Sequence, residues 1–447
     1  MSCLSRTRRR RSFVRAAVQH ANGAVAPDGP VLSCRRGARL ICNVSPTRVR
    51  TKGGDVMDQA QRMRGFTGWF LRPVYRNSLE VTGTHLPLDE EYWLALRHPA
   101  EVELAGIALL AAGDPGFTVR TPAEKNQLWR EFRAYVRQAE GFYRGASVLA
   151  WKSSPLNYYY SFMNLAKALA IVRGVLPPQP VHEPRQLHHG LSARVIAGNP
   201  DEWRLTVRGD DGVFPMLFRT VIGAPIPDNT ELEARRLLGY SLPIGWQLQK
   251  SGNGALIAWF PCHRIILVQA AECWDVIGVP REAPLDRLPA SFSAAYEEIP
   301  VDQAKAFAFT TLGLHASVAS ELRFLQRKTP EVSAAAGECN AAALDRLLEE
   351  SAPHCTFELL NGTDYEFGLG IPYAAAASTV PINELVASYA VMYFLSSLVR
   401  YHPDYMDRIG ESAEAWLIES FAKSAPLFLV RYLVAAVLGC TLIIKAN

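Results

Sequence analysis

Apolar residues recur at alternating steps of four and three from Leu128 through Phe132, Tyr135, Ala139, Phe142 and Ala146 to Leu149. That is the spacing of one helical face, held over three heptads. Thr121-Pro122-Ala123-Glu124 in front of it reads as a capping box with proline at the first helical position. Gly141 and Gly145 fall inside the pattern, each at a cost of about 1 kcal/mol relative to alanine; close approach of another helix is the reason expected for them. After a short link at residues 151–153 a second helical pattern begins, with Ser154 read as its N-cap and Pro155 as its first residue. Tyr158, Phe162, Leu165, Leu169 and Val172 form its apolar face, while Asn157, Tyr160, Asn164 and Lys167 recur at the same spacing on another. So short a link predicts an antiparallel helical hairpin.

The period then changes. Trp203, Leu205 and Val207 alternate with Arg204, Thr206 and Arg208, Asp210-Asp211-Gly212 reads as a turn, and Phe214, Met216 and Phe218 alternate again, which predicts a β-hairpin. A second hairpin is predicted from residues 244–248 through Gly252-Asn253-Gly254 to residues 255–260, with a further strand at 265–268 and a short helix at 230–238 capped by Thr230. On the N-terminal side, an aromatic segment (Phe66, Trp69, Phe70, Tyr75) precedes a short helix beginning at 88–93. A second helix is expected at 99–112, closed by Gly113-Asp114-Pro115.

Helical spacing returns after Asp302, with Phe307, Leu314, Val318, Leu322 and Leu325. Another helix is expected from Pro381 through Leu385, Tyr389, Met392, Phe394, Leu395, Leu398 and Val399 to Pro403; being apolar nearly all round, it should be central. Residues 426–444 are apolar apart from Arg431, and the 13 residues 432–444 carry no charge. That is short of the ~20 a membrane span needs, so a docked C-terminal helix and no membrane span are expected. The fold class predicted is α+β, mainly helical, with a small antiparallel β-sheet inserted near residues 190–275.

Composition adds a boundary. With 49% hydrophobic and 20% charged residues the chain is an ordinary globular one, but its net charge of +4 is unevenly placed. Residues 1–56 hold 12 Lys/Arg against Asp28 and Asp55, a net of +10, and the other residues hold 35 basic and 41 acidic groups, a net of −6. Arg10-Arg11-Ser12-Phe13-Val14-Arg15 and Ala24-Val25-Ala26 resemble a twin-arginine export signal and its cleavage site, yet Gln19, His20, Asn22 and Gly23 interrupt the apolar core such a signal needs. The first 56 residues are therefore read as a basic, disordered tail or an over-long gene start, with Met57 opening a domain that runs to residue 447 and contains the inserted β region. Nothing in the net charge of that domain predicts a nucleic-acid footprint, which leaves only local basic patches for such a role. The eight cysteines form no C-x-x-C pair, as expected of free thiols in a reducing cytoplasm.

The chain has no Walker A loop, no G-x-G-x-x-G, no G-x-S-x-G and no H-E-x-x-H, so no cofactor or metal is expected and no catalytic residue is named. The candidate ligand-binding residues are Tyr160, Asn164, Lys167, His189, Arg400 and His402. A lysine on a buried helix needs a carboxylate or a bound anion. Adjacent histidines such as His188 and His189 point apart on a regular element, and Gly190 after them reads as a loop closure. Arg400 ends its helix where a cation opposes the negative dipole end, and it can equally grip an anion bidentately.

Ala139-Glu140-Gly141-Phe142-Tyr143, the run from Ser154 to Ala168, His189-Gly190-Leu191 and the run from Tyr393 to Pro403 together resemble the bacterial YaaC-like proteins, in order and rough spacing, from about residue 60 onward. The resemblance implies a cytoplasmic bacterial protein whose family has no established activity. The candidate residues add the expectation of a binding or regulatory role with a small anion as ligand. The S-P-L-x-Y-Y-Y helix followed by N-L-A-K-A is also loosely similar to HEPN-type helical proteins, several of which are RNases of toxin and phage-defence systems; the alternative is a HEPN-like RNase, with RNA as the partner. Those carry Arg and His separated by four to six residues. Here Arg400 and His402 have one residue between them, and only Arg15 and His20, in the basic extension, fit that spacing.

Overall fold

A computed structural model describes residues 62–65, 77–82, 88–178, 186–194, 203–241, 244–245, 247–248, 257–269, 272–283, 285–288, 290–300, 321–332, 347, 356–359, 367–372, 382–412 and 415–445. The readings of residues 1–56, of the aromatic segment at 66–75 and of the helix at 302–320 lie outside these residues.

The helical hairpin forms as its periodicity requires. Helix α3 (Pro122–Ser147) follows α1 (Leu88–Glu101) and α2 (Glu103–Gly113). Thr121 Oγ1 accepts the Glu124 N–H while the Glu124 carboxylate accepts the Thr121 N–H, closing the capping box. Helix α4 (Ser154–Val172) returns antiparallel, since Tyr143 meets Tyr158, Phe142 stacks on Tyr160, and Lys167 lies over the Tyr135 ring. Ser154 is not the cap: it is the first residue of α4, its hydroxyl turns to the Trp151 carbonyl, and Ser153 holds the N-cap position without a side-chain cap bond. Nor do Gly141 and Gly145 admit another helix; a Cβ at Gly141 would meet nothing within 4 Å, and one at Gly145 only the Asn157 amide at 4.0 Å. The close approaches are at Gly106, where a Cβ would lie 2.3 Å from the Trp129 ring, and at Gly113, where it would meet the Val172 carbonyl at 2.3 Å. The break between α1 and α2 falls at Val102, in extended backbone, rather than at Pro99, which lies inside α1.

The β content divides into two parts and a terminal pair. Strands β3 (Leu191–Arg194), β4 (Arg204–Val207) and β5 (Glu231–Glu233) make a three-stranded antiparallel sheet. The predicted second arm at residues 214–218 is instead helix α5 (Val213–Ile222), because Val213, Phe214, Leu217 and Val221 also satisfy helical spacing. Gly212 precedes it as N-cap and Gly223, at φ +81°, ends it. The short helix α6 spans only Ala234–Leu238, and the Thr230 hydroxyl bonds Pro227 rather than capping it. Residues 244–245 and 247–248 are helical, not extended.

The larger sheet runs in the order β11-β12-β6-β7-β9-β8: Thr356–Leu359, Phe367–Pro372, Ile257–Gln269, Glu272–Pro280, Leu322–Arg327 and Tyr296–Ile299. All its pairings are antiparallel, with β1 (Arg62–Gly65) added to β6 and β10 (Glu331–Val332) to β7. Strand pairing thus continues well past residue 275. Leu322 and Leu325, three apart and assignable to either period, belong to β9 rather than to a helix. Short helix α7 (Ala290–Ala295) leads into β8.

Three helices complete the core. Helix α8 (Glu384–Tyr401) starts on an Asn383 cap, whose side chain accepts the Val386 N–H, and α9 (Pro403–Glu411) and α10 (Ala415–Leu438) follow. α10 is the one helix among the described residues long and apolar enough to cross a membrane, and 72% of its most apolar window is buried inside the protein. The chain turns at Gly439 (φ +64°), so residues 440–444 leave the helix and form β13 (Cys440–Lys445), parallel to β2 (Asn77–Thr82). Phe132 of α3, Phe162 and Leu165 of α4, Tyr389 and Leu395 of α8 and Leu433 of α10 share one core with Leu205 and Val207 of β4. A smaller core of Phe260, Ile277, Phe292, Tyr296 and Leu325 lies on the large sheet. The architecture is mainly helical α+β.

Candidate functional site

Helices α4 and α8 meet directly. Tyr159 packs edge-on against both Tyr389 and Tyr393, with ring centroids 5.6 and 5.2 Å apart. One residue further along α4, the Tyr160 hydroxyl accepts a hydrogen bond from Arg400 Nη1 at 2.9 Å. The loop carrying His188-His189-Gly190 closes over this junction. Gly190 takes φ +75°, and a Cβ there would lie 2.4 Å from Pro215 Cδ, so glycine is required on both counts. The His188 and His189 carbonyls accept the Val213 and Phe214 N–H groups at the start of α5.

The two histidines diverge as adjacent residues should. His188 turns out to Asp211, its Nε2 2.7 Å from the carboxylate. His189 turns in, its Nδ1 2.8 Å from the Tyr159 hydroxyl and its ring 5.7 Å from that of Tyr393. Burial holds the His189 ring below its usual pKa, and the positive charges of Arg400, Lys167 and His188 add to that in turn. Burial likewise raises the Tyr159 phenol well above its ordinary range, so it stays protonated.

Lys167 is half-buried over the Tyr135 ring, and burial lowers its pKa. Neither Lys167 nor Arg400 has a carboxylate partner among the described residues. Arg400 is thus joined to Tyr160 and His189 to Tyr159, while Lys167 stands two turns further along α4, over Tyr135. Asn164 is on the same face but is spent locally, its buried amide donating to the Tyr160 carbonyl one turn back at 2.9 Å. His402 is not brought in: it caps the α8–α9 corner and sits edge-on to Tyr405.

The residue that sequence reasoning gave no role is Tyr159, which fixes His189. Its only signal was membership of the tyrosine run. Chemically the arrangement offers two unmatched cations, a phenol and a neutral imidazole. Among the described residues no three His, Cys, Asp or Glu side chains are grouped to hold a metal.

A model of the YaaC-like Protein family matches residues 120–274 and 293–436. The chain belongs to the YaaC-like family. The matched ranges contain α3, α4, α8 and every candidate residue of this site, so the junction lies within what defines a YaaC-like protein. Neither the curated proteins nor the solved structures compared with the chain give a match.

Proposed function

We propose that this YaaC-like protein is a binding protein with a regulatory role, and that its ligand is a small anion held at the α4–α8 junction. Arg400 and Lys167 supply the charge, while the Tyr160 hydroxyl and the His189 ring line the site. One observation carries the reading: Lys167, half-buried on α4, and Arg400, bonded to Tyr160 of the same helix, have no carboxylate partner among the described residues. A half-buried cation such as Lys167 normally gains a counter-charge, from the chain or from outside it, and the exposed Arg400 is free to add a second charge to it. Arg400 is turned to Tyr160 and His402 to Tyr405, which lends no support to metal-independent RNA cleavage by that pair.

The test is calorimetric titration of the full chain with inorganic phosphate. Arg400→Ala should weaken binding roughly 10- to 100-fold, the worth of a charge-assisted hydrogen bond. Arg400 is exposed, so the melting temperature should stay within about a degree or two. Equal affinity in the wild type and the variant would overturn the assignment.

A further inference from the structure

We propose that His188 is a pH-sensitive clasp: neutral, it closes the loop that seats His189 at the α4–α8 junction, and on taking up a proton in mild acid it lets that loop open. The clasp goes beyond anion binding and does not depend on it.

Both ring nitrogens of His188 are in use. Nδ1 accepts the Gly190 N–H at 3.1 Å, and Nε2 lies 2.7 Å from a carboxylate oxygen of Asp211. A ring nitrogen that accepts an N–H carries no proton, so the proton sits on Nε2 and is donated to Asp211. The bond to Gly190 joins a side chain to the amide two residues on, the span of an Asx-turn. Here, unlike in an Asx-turn, the acceptor titrates. Imidazolium has donors on both nitrogens, so a proton taken up from solvent at Nδ1 would face the Gly190 N–H and abolish that bond.

The groups around the ring favour this outcome. Asp211, in the turn between β4 and α5, draws a proton onto the ring, but both partners are exposed and solvent screens the pair. Gly190 is buried, so water does not readily replace the bond its N–H loses. His189, on the same loop, turns the other way to Tyr159, and Asp228 accepts the Gly209 N–H. α5 begins Val213-Phe214-Pro215-Met216, with no titratable side chain. Tyr159 of α4 and Tyr393 of α8 face His189. The His188 ring lies against two glycines: a Cβ at Gly212 would come within 2.8 Å of His188 Cε1, and one at Gly209 within 3.3 Å. A Cβ at Gly212 would also lie 2.3 Å from Gly190 Cα. With the backbones packed so closely, relief comes from movement of the loop.

That movement reaches the junction directly. His189, the next residue, holds the Tyr159 hydroxyl at 2.8 Å, and the Leu191 carbonyl accepts the Tyr393 hydroxyl at 2.7 Å. The clasp thus sits beside the two contacts that tie this loop to α4 and α8.

The experiment is hydrogen exchange of the full chain followed by mass spectrometry at about pH 7.5 and pH 5.5, with protection corrected for the intrinsic pH dependence of exchange. In the wild type, peptides covering residues 188–192 should lose protection by about tenfold or more at the lower pH, while peptides from α3 change less than roughly twofold. His188→Asn is the decisive variant. Its Oδ1 keeps the acceptor for Gly190 and does not titrate, so protection should hold at both pH values. His188→Ala should leave the same peptides weakly protected at both. In the wild type, NMR with glycine and histidine labelling gives a readout that needs no variant: Nδ1 should be the unprotonated nitrogen at the higher pH, and the Gly190 amide should shift with the midpoint of the His188 ring. Wild-type protection that does not change with pH would overturn the clasp. So would an equal loss in His188→Asn, which would place the titrating group elsewhere, or a proton on Nδ1 at the higher pH. Each of these results leaves anion binding untouched.

Discussion

Two charged regions of this protein have been treated in opposite ways by its sequence. Along the seam between α1 and α3 each of four cations meets an acid. Arg97 and Arg144 share Glu140 and Glu90, while Arg133 and Arg137 share Glu101 at 3.0 and 2.6 Å. At the α4–α8 junction, Lys167 and Arg400 have no acid among the described residues. The seam uses charge to hold two helices in register, and its cations are saturated. The junction keeps its cations unsaturated on helices that are otherwise among the most buried in the molecule. Of the two, Lys167 is the one buried at a cost without a matching partner, and such a charge marks a place where something else is to bind.

That contrast can be broken from either side. The largest effect on stability is expected in the seam. Glu140→Ala leaves Arg97 and Arg144 short of a partner and should cost roughly 1–3 kcal/mol in denaturant unfolding. Phosphate affinity should not change; a parallel loss of phosphate binding would mean that the two regions are not independent.

A smaller effect of opposite sign is expected at the junction. Lys167→Met removes an ammonium whose burial is uncompensated, and should stabilise the apo protein at pH 7 by about 1 kcal/mol. The sign follows from its pKa, which burial depresses below 10.5 in the folded state. The unfolded chain binds the extra proton, so stability rises as pH climbs from the folded value towards 10.5 and is lost as pH falls. The variant should lose that rise in an alkaline stability titration. A destabilised Lys167→Met would show that the ammonium has a partner after all.

The smallest effect belongs to Glu101. Arg137, then Arg133, hold its carboxyl down to about 2, but it is exposed and solvent screens the pair. Its contribution is present above the ordinary pKa near 4.5 and is lost as pH falls through about 2. Glu101→Gln should cost about 0.5 kcal/mol or less, vanishing in 1 M salt. A loss that survives high salt would show that this end of the seam is less open to solvent than its exposure indicates.

Much of the helical frame could be read from residue order, because caps and four-three spacing are local. Thr121 and Glu124 announce α3, and the apolar run from Leu385 to Val399 announces a central helix. Where two periods fit the same residues, local reading failed. Phe214, Met216 and Phe218 alternate, yet Val213, Leu217 and Val221 beside them complete a helical face. Leu322 and Leu325 fit a helix as well as a strand, and only pairing with β7 and β8 decides between them.

The candidate site was legible as residue types and not as contacts. Tyr160, Lys167 and Arg400 stand out as polar groups on apolar helices. That Arg400 reaches Tyr160 across 240 positions, and that Tyr159 fixes His189 across 30, depends on tertiary packing. His402 stood beside Arg400 in sequence, but its place at the α8–α9 corner carries it away from the junction.

The most direct measurement is the melting temperature of the wild type and of Arg400→Ala in sulfate and in chloride at matched ionic strength. Sulfate stabilises folded proteins in general by exclusion from their surface, so both proteins should gain. The wild type should gain more, and the excess should grow with the logarithm of sulfate concentration, as expected for a ligand bound by the folded state alone. Equal gains in the two proteins across the sulfate range would contradict an anion site at the junction.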